Sequence, residues 1–114
     1  MLEILQCADK SVTVSAFESA NIIYCDGCGM LQAKDKDEVL GYSLYCLEND
    51  KITIFKIEPQ NDIMLFDGIL RSTLHIAASR SIMNAFFSED FCYIDNLKIL
   101  GFVKQFLSFV NFIH

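Results

Sequence analysis

The sequence has no tryptophan, one proline, two histidines and only nine lysines and arginines. Against those nine stand 15 acidic residues, for a net charge of −6 and an isoelectric point near 4.7. A nucleic-acid module would present a basic face, so that class is excluded, and attachment to an anionic membrane surface is disfavoured for the same reason. No apolar run approaches the ~20 residues of a transmembrane helix. The opening Met1-Leu2-Glu3-Ile4-Leu5 lacks the basic stretch that begins a signal peptide, so the expected location is cytoplasmic. Also missing are a P-loop, a G-x-G-x-x-G dinucleotide fingerprint and a G-x-S-x-G nucleophile elbow.

What is present is apolar. Hydrophobic residues make up 53% of the 114 residues and charged residues 21%, a balance that excludes disorder and supports one core. We find no repeat, linker or low-complexity segment, and read residues 1–114 as a single domain.

The five cysteines are Cys7, Cys25, Cys28, Cys46 and Cys92. An odd number suits free thiols better than a secreted disulfide framework. Cys46, inside Tyr42-Ser43-Leu44-Tyr45-Cys46-Leu47, reads as a small core hydrophobe. Cys25-Asp26-Gly27-Cys28 is the one spacing with chemical meaning, since two thiolates three positions apart can share a zinc ion or form a redox pair. A structural zinc site needs about four ligands, and no second C-x-x-C exists. His75 and His114 lie far away in sequence. Asp26-Gly27 is also a hairpin signal. The expectation is two ordinary thiols flanking a turn, with no metal.

Leu2 to Cys7 reads as a first strand. Asp9 to Asn21 is rich in small residues and reads as a short helix or irregular loop, with Ser11 as N-cap. Strand-like runs follow at Asn21–Cys25, Gly29–Lys34, Glu38–Leu47 and Lys51–Ile57, separated by Asp26-Gly27, Asp35-Lys36-Asp37 and Glu48-Asn49-Asp50. That pattern predicts an antiparallel meander. The third and fourth runs are apolar on both alternating faces, which marks central strands covered by helices. The spacing of Phe66, Ile69, Leu70, Leu74, Ala77 and Ala78 predicts a helix over about Ile63 to Arg80, capped by Asp62. Its polar stripe carries Asp67, Arg71, His75 and Ser79. Asp67 and Arg71 are placed for an i, i+4 surface pair, and His75 reads as a solvated surface residue. Ile82–Phe87 predicts another strand and Ile94–Leu100 a short helix stopped by Gly101. Phe102, Phe106, Phe109 and Phe112 form either core or an exposed patch suited to a homodimer contact.

This element order resembles the GNAT fold of acyl-CoA N-acyltransferases, and implies an α+β fold: a mostly antiparallel mixed sheet with one long helix and one or two short ones. The matching residues are Val39-Leu40-Gly41-Tyr42, Ile52-Thr53-Ile54-Phe55-Lys56-Ile57-Glu58-Pro59, Gly68-Ile69-Leu70-Arg71 and Leu100-Gly101-Phe102. They span residues 38–103. The resemblance implies acetyl-CoA or another acyl-CoA as cofactor and a small-molecule or peptide amine as acceptor. It puts Glu58 in the place of a general base. It implies that the cofactor meets Ile57, Asn61, Asp62, Ile63, Met64, Leu65, Phe66 and Gly68, the pyrophosphate resting on a glycine-rich turn at a helix N-terminus.

The chain departs from the family pattern in that turn. With Asn61, Met64 and Phe66 at the three key positions, the arginine and both glycines are missing. A later register through Leu65, Gly68 and Leu70 keeps one glycine. No basic residue lies between Lys56 and Arg71, and Asp62 and Asp67 add negative charge. Leu97 stands where the family commonly has a tyrosine acid, with Tyr93 one helical turn earlier. Three functions follow: an acyl-CoA-dependent N-acyltransferase, or a relative that retains only CoA binding; a catalytically inactive interaction or oligomerisation module on the same fold; and a C-x-x-C thiol or metal protein.

Overall fold

The computed structural model describes residues 2–88. The expected helix at Ile94–Leu100, Gly101-Phe102, Tyr93, Leu97, Cys92, His114 and the phenylalanines from Phe102 to Phe112 lie outside the described residues.

Five strands form one sheet in the order β1-β2-β3-β4-β5: β1 is Leu2–Gln6, β2 Cys28–Asp35, β3 Glu38–Glu48, β4 Lys51–Glu58 and β5 Asn84–Phe87. The first four run antiparallel to their neighbours, and β5 is parallel to β4. A parallel neighbour needs a crossover, and helix α2, Ile63–Ala78, supplies it. A second helix, α1 (Lys10–Ser19), joins β1 to β2. This is the mixed α+β architecture expected.

The helices cover opposite faces of the sheet. On one face Phe66, Ile69 and Leu70 of α2 meet Ala33, Ile54, Ile57 and Phe87, all fully buried. On the other, Phe17 of α1 meets Met30 and Leu44, flanked by Tyr24, Tyr42 and Phe55. The doubly apolar pattern of β3 and β4 comes from this sandwiching. A single hydroxyl pair interrupts the α2 side: Ser43 and Thr73, both buried, lie 2.7 Å apart.

Turn chemistry follows the sequence at two hairpins. Lys36 and Asn49 lead two-residue loops at φ +59° and +49°, between the closing pairs Asp35–Glu38 and Glu48–Lys51. Two expectations are corrected. Asp9 rather than Ser11 caps α1, its Oδ1 accepting from the backbone N–H of Ser11 at 3.0 Å and the Ser11 hydroxyl at 2.7 Å. Asn21–Cys25 is not a strand. Asn21 is left-handed at φ +59°, and the N–H groups of Asn21 and Ile22 return to the carbonyls of Glu18 and Phe17 at 3.0 and 2.9 Å. That is a Schellman end for α1, and it folds Ile22 and Tyr24 under Phe17, so their apolar character covers a helix. Asp26-Gly27 therefore enters β2 from a turn and joins no pair of strands. At the end of α2, Ser81 (φ +61°) makes a second Schellman motif, with Ile82 donating to Ala77 at 2.9 Å, so the regular helix stops at Ala78, two residues short of Arg80.

Candidate functional site

The candidate site begins where β4 runs on past the described part of its parallel partner. Rungs with β5 run from Lys51–Asn84 to Ile54–Phe87, and the Ser88 N–H then donates to the Ile54 carbonyl at 3.1 Å. Four more β4 residues, Phe55 to Glu58, extend past this point. On the β3 side the register shifts there, with Tyr45 opposite Ile54 but Leu44 opposite Lys56, which leaves Phe55 as a bulge. The bulge explains the uneven burial of β4: Ile52, Ile54 and Ile57 all point into the α2 core, at spacings of two and then three. Phe55 itself stays on the α1 side, opposite Ile54, where its ring meets Phe17 edge-on at 6.1 Å. Bulges increase local twist, so β4 bends as it leaves the β5 ladder.

The chain then passes a cis Glu58–Pro59 bond, turns through Gln60 and Asn61, and enters α2 at the Asp62 cap. Gly41 of β3 fixes how closely this turn lies against the sheet. A Cβ on Gly41 would sit 2.5 Å from the Glu58 carbonyl oxygen, 2.9 Å from Pro59 Cδ and 2.8 Å from Ile69 Cδ1. Glycine is required by close approach, not by φ.

Asp62 caps α2 with its own carboxylate, Oδ1 accepting from Leu65 N–H at 3.1 Å, while its carbonyl accepts from Phe66 N–H at 2.9 Å. The N–H groups of Ile63 and Met64 open the helix and stand outside its own ladder. Met64 is 83% exposed, so this end faces solvent.

The residues named from sequence divide by position. Asn61, Asp62, Ile63 and Met64 lie together on the open turn. Ile57 and Phe66 are fully buried, and Leu65 packs against the same core, so these three can offer a ligand only backbone groups. Gly68 lies inside α2 and faces β1, its nearest neighbour for an added Cβ being Ile4 Cδ1 at 3.5 Å. Glu58 is half-buried at the end of β4 and accepts from Gln60 Nε2 at 3.3 Å.

Neither cation bordering the turn is directed into it. The Lys56 ammonium lies 5.9 Å over the ring of Tyr42, and Arg71 is paired with Asp67 one helical turn back, as expected. Arg71 also lines a shallow groove with Ile4, Gln6, Ser72 and His75, between α2 and β1. In the strand order β1 is three places from β4, roughly 14 Å at ~4.8 Å per strand, which removes His75 from chemistry at the β4 end.

Sequence reasoning missed two determinants here. Gly41 was legible only as part of a motif, because its constraint comes from residues 17 and more positions away. The Phe55 bulge leaves a trace, the i, i+2, i+5 spacing of Ile52, Ile54 and Ile57, which alternation alone hides.

No protein-family model and no curated protein matches the sequence. Solved structures do match in fold. The ribosomal-protein-S18-alanine N-acetyltransferase of Escherichia coli superposes at a TM-score of 0.64 and 12% identity, over 89% of this chain and 77% of that one. An aminoglycoside acetyltransferase from an uncultured soil metagenomic sample, solved with sisomicin, gives 0.62 and 13%, over 91% and 88%. The PaiA N-acetyltransferase of Thermoplasma acidophilum, solved with coenzyme A, gives 0.50 and 12%, over 68% and 48%. The fold is thus GNAT-like, as the element order implied, at an identity that speaks to fold alone.

Proposed function

We propose that this chain binds a CoA-type thioester along the end of β4 and at the start of α2, as an N-acyltransferase-like protein. The observation that carries this reading is the continuation of β4 beyond its last β5 rung among the described residues, bulged at Phe55 and leading straight into an exposed helix N-terminus. Extended backbone at Phe55–Ile57 suits the amide-bearing arm of a pantetheine. The N–H groups of Ile63 and Met64, with the positive end of the helix dipole, suit a pyrophosphate. A structurally similar protein solved with coenzyme A supports the same ligand class.

The site is weaker than a glycine-rich turn with an arginine. Asp62 already occupies one helix-start donor and places a carboxylate beside the pyrophosphate position. If catalysis occurs, the acceptor is an amine, and Glu58 removes its proton directly or through one water. The net charge of −6 disfavours a nucleic-acid acceptor.

Thermal unfolding with CoA and with acetyl-CoA tests the reading. Ligand at a hundred times its dissociation constant adds ~2.7 kcal/mol, which raises the melting point of a domain this size by roughly ten degrees. No shift at millimolar CoA overturns it and leaves the second reading, a non-catalytic interaction module, favoured by the same Asp62 cap and by the lack of a cation in the turn.

A further inference from the structure

At the far end of β3 from this turn, three cysteines converge. Cys28 and Cys46 are direct cross-strand partners, so their side chains leave the same face of the sheet side by side. Cys25 reaches them through a tight turn: the Cys28 N–H donates to the Cys25 carbonyl at 3.1 Å, and the Leu47 N–H fastens the turn to β3 through the Gly27 carbonyl at 2.9 Å. Gly27 sits at φ +90°, and a Cβ there would collide with the Leu47 carbonyl oxygen, so only glycine closes the turn in this way.

The three sulfurs lie within 4.8 Å of one another, with Cys25 and Cys28 Sγ at 3.6 Å. Zinc–sulfur bonds of ~2.3 Å at tetrahedral angles put ligand sulfurs about 3.8 Å apart. The triangle therefore needs only small side-chain rotations to take up an ion. Burial grades from exposed Cys25 through half-buried Cys28 to Cys46 at 1% exposure, which leaves an entry path on one side and a dry wall on the other. A carboxylate oxygen, Glu48 Oε1, lies 3.7 Å from one of the three sulfurs, Cys46 Sγ. A tetrahedral zinc with one sulfur and one oxygen ligand spaces those two atoms at about 3.6 Å.

We propose that Cys25, Cys28 and Cys46 form a binding site for a zinc-class divalent cation, the fourth position being open to Glu48 once its side chain swings in from beside Cys46. Sulfur-rich ligation of this kind selects zinc over magnesium or calcium. Loading deprotonates the three thiols and releases their protons to solvent. Because Tyr42 and Cys46 are four residues apart along β3, the site lies roughly 13 Å from the β4 exit at ~3.3 Å per residue. Its role is to tie the irregular 21–25 segment to the β2–β3 hairpin, and so to hold α1 on the sheet.

The test is a titration of the full chain, reduced with a phosphine, first with Co2+ and then with Zn2+. The expected result is one Co2+ per chain, tetrahedral d–d bands and sulfur-to-cobalt charge transfer, all bleached by one equivalent of Zn2+. Substituting the exposed ligand, Cys25→Ser, must weaken Zn2+ binding at least tenfold and lower the charge-transfer band. Cys46→Ser must do the same, and Cys7→Ser must leave both unchanged. No saturable uptake at micromolar metal overturns the proposal, as do bands that survive Cys25→Ser. So does a Cys25–Cys28 disulfide in the isolated protein, if the chain takes up no metal after reduction.

Discussion

The buried hydroxyl of Ser43 donates to Thr73 Oγ1 across 2.7 Å, because Thr73 has already given its own proton to the Ile69 carbonyl, also at 2.7 Å. The direction matters for how α2 is held on β3. Thr73→Val removes Ser43's acceptor and strands a buried donor, at a cost of ~1–3 kcal/mol. Ser43→Ala leaves Thr73 bonded within its helix and costs about 0.5–1.5 kcal/mol. Urea unfolding of both variants checks the order; a larger loss in Ser43→Ala than in Thr73→Val would contradict the assigned direction.

Two glycines of the GNAT-like motif behave oppositely. Gly41→Ala forces a methyl into the Glu58 carbonyl and Pro59, where only backbone can yield, so it destabilises by ~1–3 kcal/mol and weakens CoA binding together with stability. Among the described residues, Gly68→Ala meets only Ile4 Cδ1, at 3.5 Å, in a helix interior. It stabilises by about 0.5–1 kcal/mol, and the same unfolding curves measure it.

The Asp62 carboxylate serves as a cap and opposes an anionic ligand. Asp62→Asn keeps a capping oxygen and removes the charge. CoA binding should tighten two- to fivefold, the equivalent of ~0.3–1 kcal/mol of relief at a helix N-terminus. A calorimetric titration showing weaker binding would mean that the pyrophosphate lies elsewhere.

Hydrogen bonds from the Ser11 hydroxyl and the Ser11 and Val12 N–H groups hold the Asp9 carboxyl below its ordinary value of 3.8. Its contribution is complete above that value and is lost as pH falls through the lower folded one. Asp9→Ala should lower the melting point at pH 7 and narrow its gap from the parent as pH drops below ~4. A constant gap across that range would remove the charge from the cap's effect.

Most of the fold was legible because it is written in local patterns. The Asp and Asn turns, the doubly apolar β3 and β4 and the Asp62-capped helix each declare themselves within about a dozen residues. Asn21–Cys25 misleads because Ile22 and Tyr24 have strand composition but pack under Phe17 after a Schellman turn, a tertiary demand no window sees. Cys46 is the buried core residue that its setting announces, at 1% exposure. What the sequence does not carry is its neighbour, since only the β2–β3 register sets it beside Cys28. At the candidate site the residue types were visible, but what brings them together was not: the Phe55 bulge, and the space beside Gly41 in which the β4–α2 turn lies.

The most direct test of CoA recognition is an amide chemical-shift titration of the 15N-labelled protein with CoA. The account predicts saturable shifts at Phe55–Ile57 and at Ile63–Leu65, with Cys25–Cys28 unmoved. Saturation without shifts in those two segments, or no shifts at millimolar CoA, would contradict it.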